Sequence, residues 1–320
     1  MIRVGIIGGA GYTAGELIRL LVNHPEAEFA FIHSESNAGR YVHEVHEGLY
    51  GDTDLRFDES VDLDDADLLF ICSGHGKSHE FWAVRRRPEG LKVIDLSQDY
   101  RDESEGYVYG LPELRRDKIR GAVSVANPGC FATAIQLALL PLASAGLIRS
   151  EVNVSAITGS TGAGARPGAT THFSWRTDNI SVYKVFEHQH LAEITRSLKQ
   201  LQPGFEAPLN FVPMRGDFAR GIFATVHLDC PLDEQEAASL YAGYYDKAPF
   251  CFVCDRPVDL KQVVNTNKCL LHVEKHGSKL VVSSVIDNLL KGASGQAVQN
   301  MNLMYGLPEN TGLKLKASAF

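Results

Sequence analysis

The chain has 320 residues, 44% of them hydrophobic and 22% charged, which is enough apolar material for a sizeable core and too much chain for one small module; disorder and fibrous repeats are excluded. Its 31 Lys and Arg against 39 Asp and Glu leave a net charge of −8, so there is no basic footprint for nucleic acid or an anionic membrane, and any anionic ligand has to be held by local groups. The 6 cysteines are too sparse for a disulfide framework, and the apolar opening is broken by glycines before it could serve as a cleaved leader, so a reducing cytoplasm is expected.

In chain order, residues 2–7 read as a short buried strand, and residues 14–23 as a helix with Leu17, Ile18, Leu20 and Leu21 at helical spacing. Residues 29–33, 67–72 and 92–96 are further strands. Strands alternating with helical segments predict an α/β fold, a Rossmann-type doubly wound parallel sheet. The uncharged stretch between Arg120 and Arg149 holds Asn127, Pro128, Gly129, Gln136 and Pro141, which suits a buried helix better than a lipid-facing one. From about Glu151 the strands lengthen and alternate, at 152–157, 222–228 and 279–284, and predict a second, α+β domain on a mixed or antiparallel sheet. Residues 287–305 read as one more long helix, and there is no internal repeat.

Gly8, Gly9, Gly11 and Gly15 fill the turn between the first strand and the first helix. Glycines let the backbone approach a dinucleotide pyrophosphate, and the helix N-terminus with Tyr12 and Thr13 supplies N–H groups and a positive dipole end. At the end of the second strand an acidic residue would take a ribose hydroxyl, whereas Ser34, Ser36 and Arg40 suit a 2′-phosphate; Glu35 argues the other way, and NADP(H) is the expected cofactor.

Asn127-Pro128-Gly129-Cys130 runs into an apolar helix. A cysteine at a helix start has its thiolate stabilised by the dipole and the N–H groups, so Cys130 is the candidate nucleophile. Cys72, Cys230 and Cys269 read as small buried hydrophobes, and Cys251 and Cys254 as core positions of a strand. A thiol acting on a carbonyl needs a proton carrier of near-neutral pKa, which His188 or His190 supplies. No third ligand accompanies that pair, so no metal is expected.

Taken together these segments resemble the N-acetyl-gamma-glutamyl-phosphate reductases of the semialdehyde dehydrogenase superfamily. The likeness runs through Gly11-Tyr12-Thr13 with Glu16-Leu17, Val93 to Ser97 with Arg101, Tyr109 to Leu114, Asn127 to Cys130 and the loop from Gly159 to Gly164 containing Ser160. It is densest from Ile286 to Ala297, with Gln299 to Asn302 and Gly306 to Glu309. The resemblance implies NADPH-dependent reductive dephosphorylation of an N-acyl-γ-glutamyl phosphate, in arginine biosynthesis, by a homo-oligomer (dimer or tetramer). It implies a nucleotide domain of residues 1–129 with 288–320, and a catalytic and dimerisation domain of residues 130–287. Cys130 would attack the acyl phosphate, with Asn127 beside the oxyanion. His190, before His188, would handle protons, and Arg101 would meet the phosphate. Asn288, Gly292 and Gln296 would lie near the nicotinamide, and Ser160 and Arg220 near substrate.

One stretch departs from the family pattern: no histidine precedes Val212-Pro213-Met214, and the loop from Arg215 to Gly221 brings Arg215 near Arg220. A guanidinium facing the amide end would pair with a carboxylate such as an N-succinyl group presents. Aspartate-semialdehyde dehydrogenase and an N-acyl-aminoadipyl-phosphate reductase are the neighbouring enzyme readings. A catalytically silent nucleotide-binding redox sensor is the reading from another class, and it has no need for Cys130, His190 and Arg101 together.

Overall fold

A computed structural model describes residues 1–318. The elements follow in the order β1 (Ile2–Ile7), α1 (Tyr12–Leu21), β2 (Ala27–His33), β3 (Leu68–Ile71), α2 (Lys77–Ala83), β4 (Lys92–Asp95), β5 (Val108–Tyr109), α3 (Pro112–Arg120) and β6 (Ser124–Ala126). Next come α4 (Cys130–Ser144), β7 (Val152–Thr158), α5 (Phe173–Arg176), β8 (Ser181–Val182), α6 (His190–Leu201), β9 (Leu209–Arg215) and β10 (Ile222–Asp229). The chain continues through α7 (Glu234–Tyr245), β11 (Cys251–Cys254), β12 (Cys269–His276), β13 (Lys279–Ile286) and α8 (Ser294–Met304). The described chain divides into two compact units, Met1–Pro128 with Ala293–Lys314, and Gly129–Gly292 with residues 315–318.

The first unit is built on six parallel strands in the order β2-β1-β3-β4-β6-β5. The expected doubly wound sheet is therefore present, with two strands, β5 and β6, too short to announce themselves in sequence. The strand order reverses between β1 and β3, and a crevice beyond the carboxyl ends at such a switch is where α/β sheets take ligands. Gly8 sits there at φ +80°, and a Cβ on it would come 3.0 Å from the backbone of Cys72 and Ser73 that follows β3. Only glycine suits that position. Helix α8 packs against α1 and α3 within this unit.

The second unit carries a seven-stranded mixed sheet, β11-β12-β13-β10-β7-β9-β8, in which β11/β12 and β7/β9 are the parallel pairs. Helix α4 lies against β10, β13 and α6, with every residue from Phe131 to Ala143 buried. The uncharged stretch is thus the core helix of a globular unit, and no helix among the described residues is long and apolar enough to cross a membrane.

The helix expected over residues 287–305 is shorter than its periodicity indicates. Residues 287–293 form a buried turn, because the Asp287 carboxylate accepts from the N–H groups of Leu289 (2.8 Å) and Leu290 (3.2 Å) and so competes with helical bonding. A Cβ on Gly292 would sit 2.6 Å from Asn288 O and 2.9 Å from Cys130 Cβ, so the turn also closes against the Cys130 side chain.

Pro141 lies inside α4 and has no N–H for the carbonyl of Leu137. Tyr245 at the end of α7 replaces that donor, its hydroxyl 2.5 Å from Leu137 O, and Tyr241 binds Ala138 O at 2.5 Å. Both phenols are buried and held well above their ordinary pKa by desolvation, so they remain neutral donors. Tyr245→Phe is expected to cost about 1–2 kcal/mol by leaving a buried carbonyl bare, read as a lower urea midpoint. Adding Pro141→Ala should recover part of the loss, since its N–H reclaims the carbonyl; an unshifted midpoint in the single variant contradicts the account.

Candidate active site

In the second unit Cys130 is the first residue of α4 and half-buried, with Gly129 as N-cap at φ −70° and ψ 151°. The first helical bond closes from Thr133 N to Gly129 O at 2.8 Å, and no side chain caps the start. The thiol therefore stands at the positive end of a buried helix, where a thiolate and a developing oxyanion are both stabilised.

His190 opens α6, buried at 7% exposure, and it packs against the residue before the cysteine: a Cβ on Gly129 would overlap its Nε2. Glu193, one turn further along α6 and 5% exposed, ties the two together. Its Oε2 accepts from Gly129 N at 3.1 Å and its Oε1 lies 3.9 Å from His190 Nε2. Sequence reasoning passed over Glu193, although its i, i+3 spacing from His190 was a usable signal once the helix start was known.

His188 has a different part. Its ring is edged by Phe131 (5.5 Å), Phe211 (5.4 Å) and Tyr183 (5.8 Å), and its Nδ1 accepts the His190 N–H at 3.2 Å. Burial, then the nearby charges of Lys184 and Arg215, hold its pKa down at about 4. It is neutral near pH 7 and fixes the backbone of His190.

Arg215, expected in a loop, is instead the last residue of β9, paired with Thr158 of β7 and Ser181 of β8; the loop is residues 216–221 only. The strand continues because Phe211 and Pro213 alternate inward with Val212 and Met214 half-buried between them. Its guanidinium lies over the Tyr183 ring, 4.7 Å from the centroid. Arg220 is engaged by the fully buried Asp287, at 3.1 Å and 3.2 Å. Asn288 has its carboxamide committed within this unit, Oδ1 accepting from Gly221 N at 2.7 Å and Nδ2 donating to Thr161 at 3.0 Å. Ser160 stands in the adjacent short helical turn, its N–H on Phe218 O at 2.8 Å. Arg220, Asn288 and Ser160 thus belong to one network that zips residues 159–164 to residues 218–221.

In the first unit Gly11 caps α1 with no side-chain partner for the helix-start N–H groups, Tyr12 is 44% exposed, and the Thr13 carbonyl accepts from Ser294 Oγ at 2.7 Å. Beyond β2, Ser34, Ser36 and Arg40 are gathered by one residue, Asn37, which bonds Ser34 Oγ at 3.3 Å, Ser36 Oγ at 3.0 Å and Arg40 Nη1 at 3.0 Å. Glu35 is exposed. Asn127 is 1% exposed, its Nδ2 on Ala293 O at 3.0 Å and its Oδ1 taking Asn300 Nδ2 at 3.1 Å. Arg101, 8% exposed, donates to Asn127 O at 2.8 Å and Leu96 O at 3.2 Å, so it fastens the backbone just ahead of the nucleophile turn. Among the described residues no group of three or more His, Cys, Asp or Glu is arranged to hold a metal ion.

The semialdehyde dehydrogenase NAD binding domain family matches residues 3–122, and the semialdehyde dehydrogenase dimerisation domain family matches residues 130–288. The aspartate semialdehyde dehydrogenase II of Vibrio cholerae has a TM-score of 0.73 to this chain at 19% identity, over 96% of this chain and 98% of that one, a likeness of fold. The N-acetyl-gamma-glutamyl-phosphate reductase of Bacteroides thetaiotaomicron is 60% identical over 322 residues, covering all of both chains. Its namesakes in Christiangramia forsetii (53% over 322 residues) and Flavobacterium johnsoniae (49% over 326 residues) also match end to end. Identity at that level along the whole length, over both domain families, makes the chain a member of the N-acetyl-gamma-glutamyl-phosphate reductase family of oxidoreductases.

Proposed function

We propose that the chain performs the NADPH-dependent reductive dephosphorylation of an N-acyl-γ-glutamyl phosphate to the N-acyl-glutamate 5-semialdehyde, a step of arginine biosynthesis. The observation that carries the reading is the Cys130, His190 and Glu193 arrangement at the start of two helices. The thiolate attacks the acyl carbonyl, the helix-start N–H groups of α4 meet the oxyanion, and phosphate leaves a thioester on Cys130. A bound nicotinamide supplies the hydride that takes the thioester to the aldehyde level. His190 moves protons at the sulfur and at the substrate oxygen, and Glu193 keeps its ring facing Gly129. His188, Asn127 and Arg101 are assigned to positioning, because their polar atoms are bonded to the backbone or to neighbouring amides.

The β1–α1 turn fits a dinucleotide: Gly8 permits the close approach, and the bare N-terminus of α1 receives the pyrophosphate through Gly11, Tyr12 and Thr13. Ser34, Ser36 and Arg40, collected by Asn37, would hold the 2′-phosphate, which supports NADP(H). None of the six cysteines is joined in a disulfide, which is compatible with the cytoplasm, and the match to a dimerisation domain supports a homo-oligomer.

Cys130→Ser is expected to lower kcat by at least about 1000-fold while nucleotide affinity, followed by fluorescence, stays within about twofold, since only the thiolate forms the thioester. Activity within tenfold of the parent removes Cys130 from the mechanism. Gly129→Ala should lower kcat/KM about 100-fold by displacing the imidazole, with little change in nucleotide binding; an unaffected rate means His190 does not act from this position. NADPH should give the higher kcat/KM of the two nucleotides, and equality with NADH would mean that Glu35 decides the choice.

A further inference from the structure

Most of the buried guanidinium groups have visible counterparts. Arg220 is paired with Asp287, Arg115 with Glu103 and Arg116 with Glu309, while Arg176 is spent on the carbonyls of Thr170, Asn179 and Arg215. Arg215 is different. It is half-buried, and its Nε meets no acceptor, as is also true of Arg115 Nε; what sets it apart is that no carboxylate among the described residues lies in ion-pair distance of it.

The group is nevertheless held in place. Strand pairing on both sides fixes its backbone, Arg176 Nη1 binds its carbonyl at 2.7 Å, and the Tyr183 ring supports one face of the guanidinium at 4.7 Å. A second cation, Lys184, bears with Arg215 on His188. Tyr183, which hydrogen-bonds Arg215, is also in electrostatic reach of Cys130, so the cation and the thiol share one neighbour. A half-buried, held cation without a counter-ion is poised for a ligand that brings the anion.

Resting on the reading of Cys130 as the nucleophile, we propose that Arg215, stacked on Tyr183, is the seat for a carboxylate of the substrate and determines which N-acyl-glutamyl compounds are accepted. A guanidinium fixed by one face presents a planar edge, which matches the planar fork of a carboxylate. Two sources offer that chemistry: the α-carboxylate of the glutamyl unit, and a terminal carboxylate on a dicarboxylic acyl group.

The phosphate-dependent oxidation of aldehydes with NADP⁺ separates the cases, because inorganic phosphate is then a substrate in its own right with its own KM. The parent, Arg215→Ala and Arg215→Lys are compared on N-acetylglutamate semialdehyde, N-succinylglutamate semialdehyde and 4-acetamidobutanal, which has no carboxylate. Arg215→Ala should raise the aldehyde KM about tenfold to hundredfold wherever the seated carboxylate is present, the loss of one charge-assisted pair. Arg215→Lys should regain part of it, while the KM for phosphate and the handling of 4-acetamidobutanal move little. A rise confined to the N-succinyl compound assigns the seat to the acyl chain, and an equal rise for both glutamate derivatives assigns it to the α-carboxylate. A change of the same size with 4-acetamidobutanal, a rise in the phosphate KM instead, or unchanged aldehyde KM values overturn the proposal. If the parent oxidises none of the aldehydes, the reductase reading beneath it fails as well.

Discussion

The chemistry of the second unit hangs on one carboxylate. Glu193 accepts the N–H of Gly129 and faces His190 from the same helix, so the residue before the nucleophile and the imidazole are set by a single side chain. Two consequences follow from its burial. Excluded from water, the carboxylate holds both partners more tightly than it could at the surface, and it gives the imidazole a nearby negative charge when a proton arrives. Gly129 must then lack a side chain, because the ring occupies the space that a Cβ would take.

Other buried polar groups tie turns together within each unit. Asp287, fully buried, takes the Arg220 guanidinium together with the N–H groups of Asn265, Leu289 and Leu290. Asn288 then joins Gly221 to Thr161. Each is a polar group whose burial would be costly alone and which is stable here because its acceptors and donors are matched. In the first unit Asn127 plays the same part, with Asn300 also reaching Gly110 O at 2.9 Å. Side chains that look catalytic by type act in these places as fasteners, which is why the proposed chemistry is assigned to the groups that face the helix start.

The contrast between Arg215 and Arg220 shows how a guanidinium's role follows from its partner. Five positions apart, one is neutralised by a buried aspartate and the other rests on an aromatic face with no anion beside it. Residue type alone makes them equivalent. Their difference arises because β9 runs on to Arg215, whereas residues 216–221 turn back and deliver Arg220 to Asp287.

Much was legible in the sequence because it is written in local rules. Strand and helix alternation predicts the doubly wound sheet, glycines after β1 mark the proposed phosphate turn, and a cysteine opening an apolar helix marks the proposed nucleophile by the physics of a helix end. Histidine chemistry narrowed the proton carrier to two residues. What sequence could not carry is any choice that depends on contacts distant along the chain. A separation of 64 positions hides the bond between Gly129 and the Glu193 carboxylate. Neutral His188 follows from aromatic walls drawn from three different elements. The helix read over residues 287–305 gave way to a turn because one aspartate found backbone partners better placed than those of a helix. Periodicity and residue chemistry indicated most of the elements and the candidate reacting groups; tertiary packing alone decided which polar side chains are spent on the fold, since burial and pairing are properties of neighbours in space.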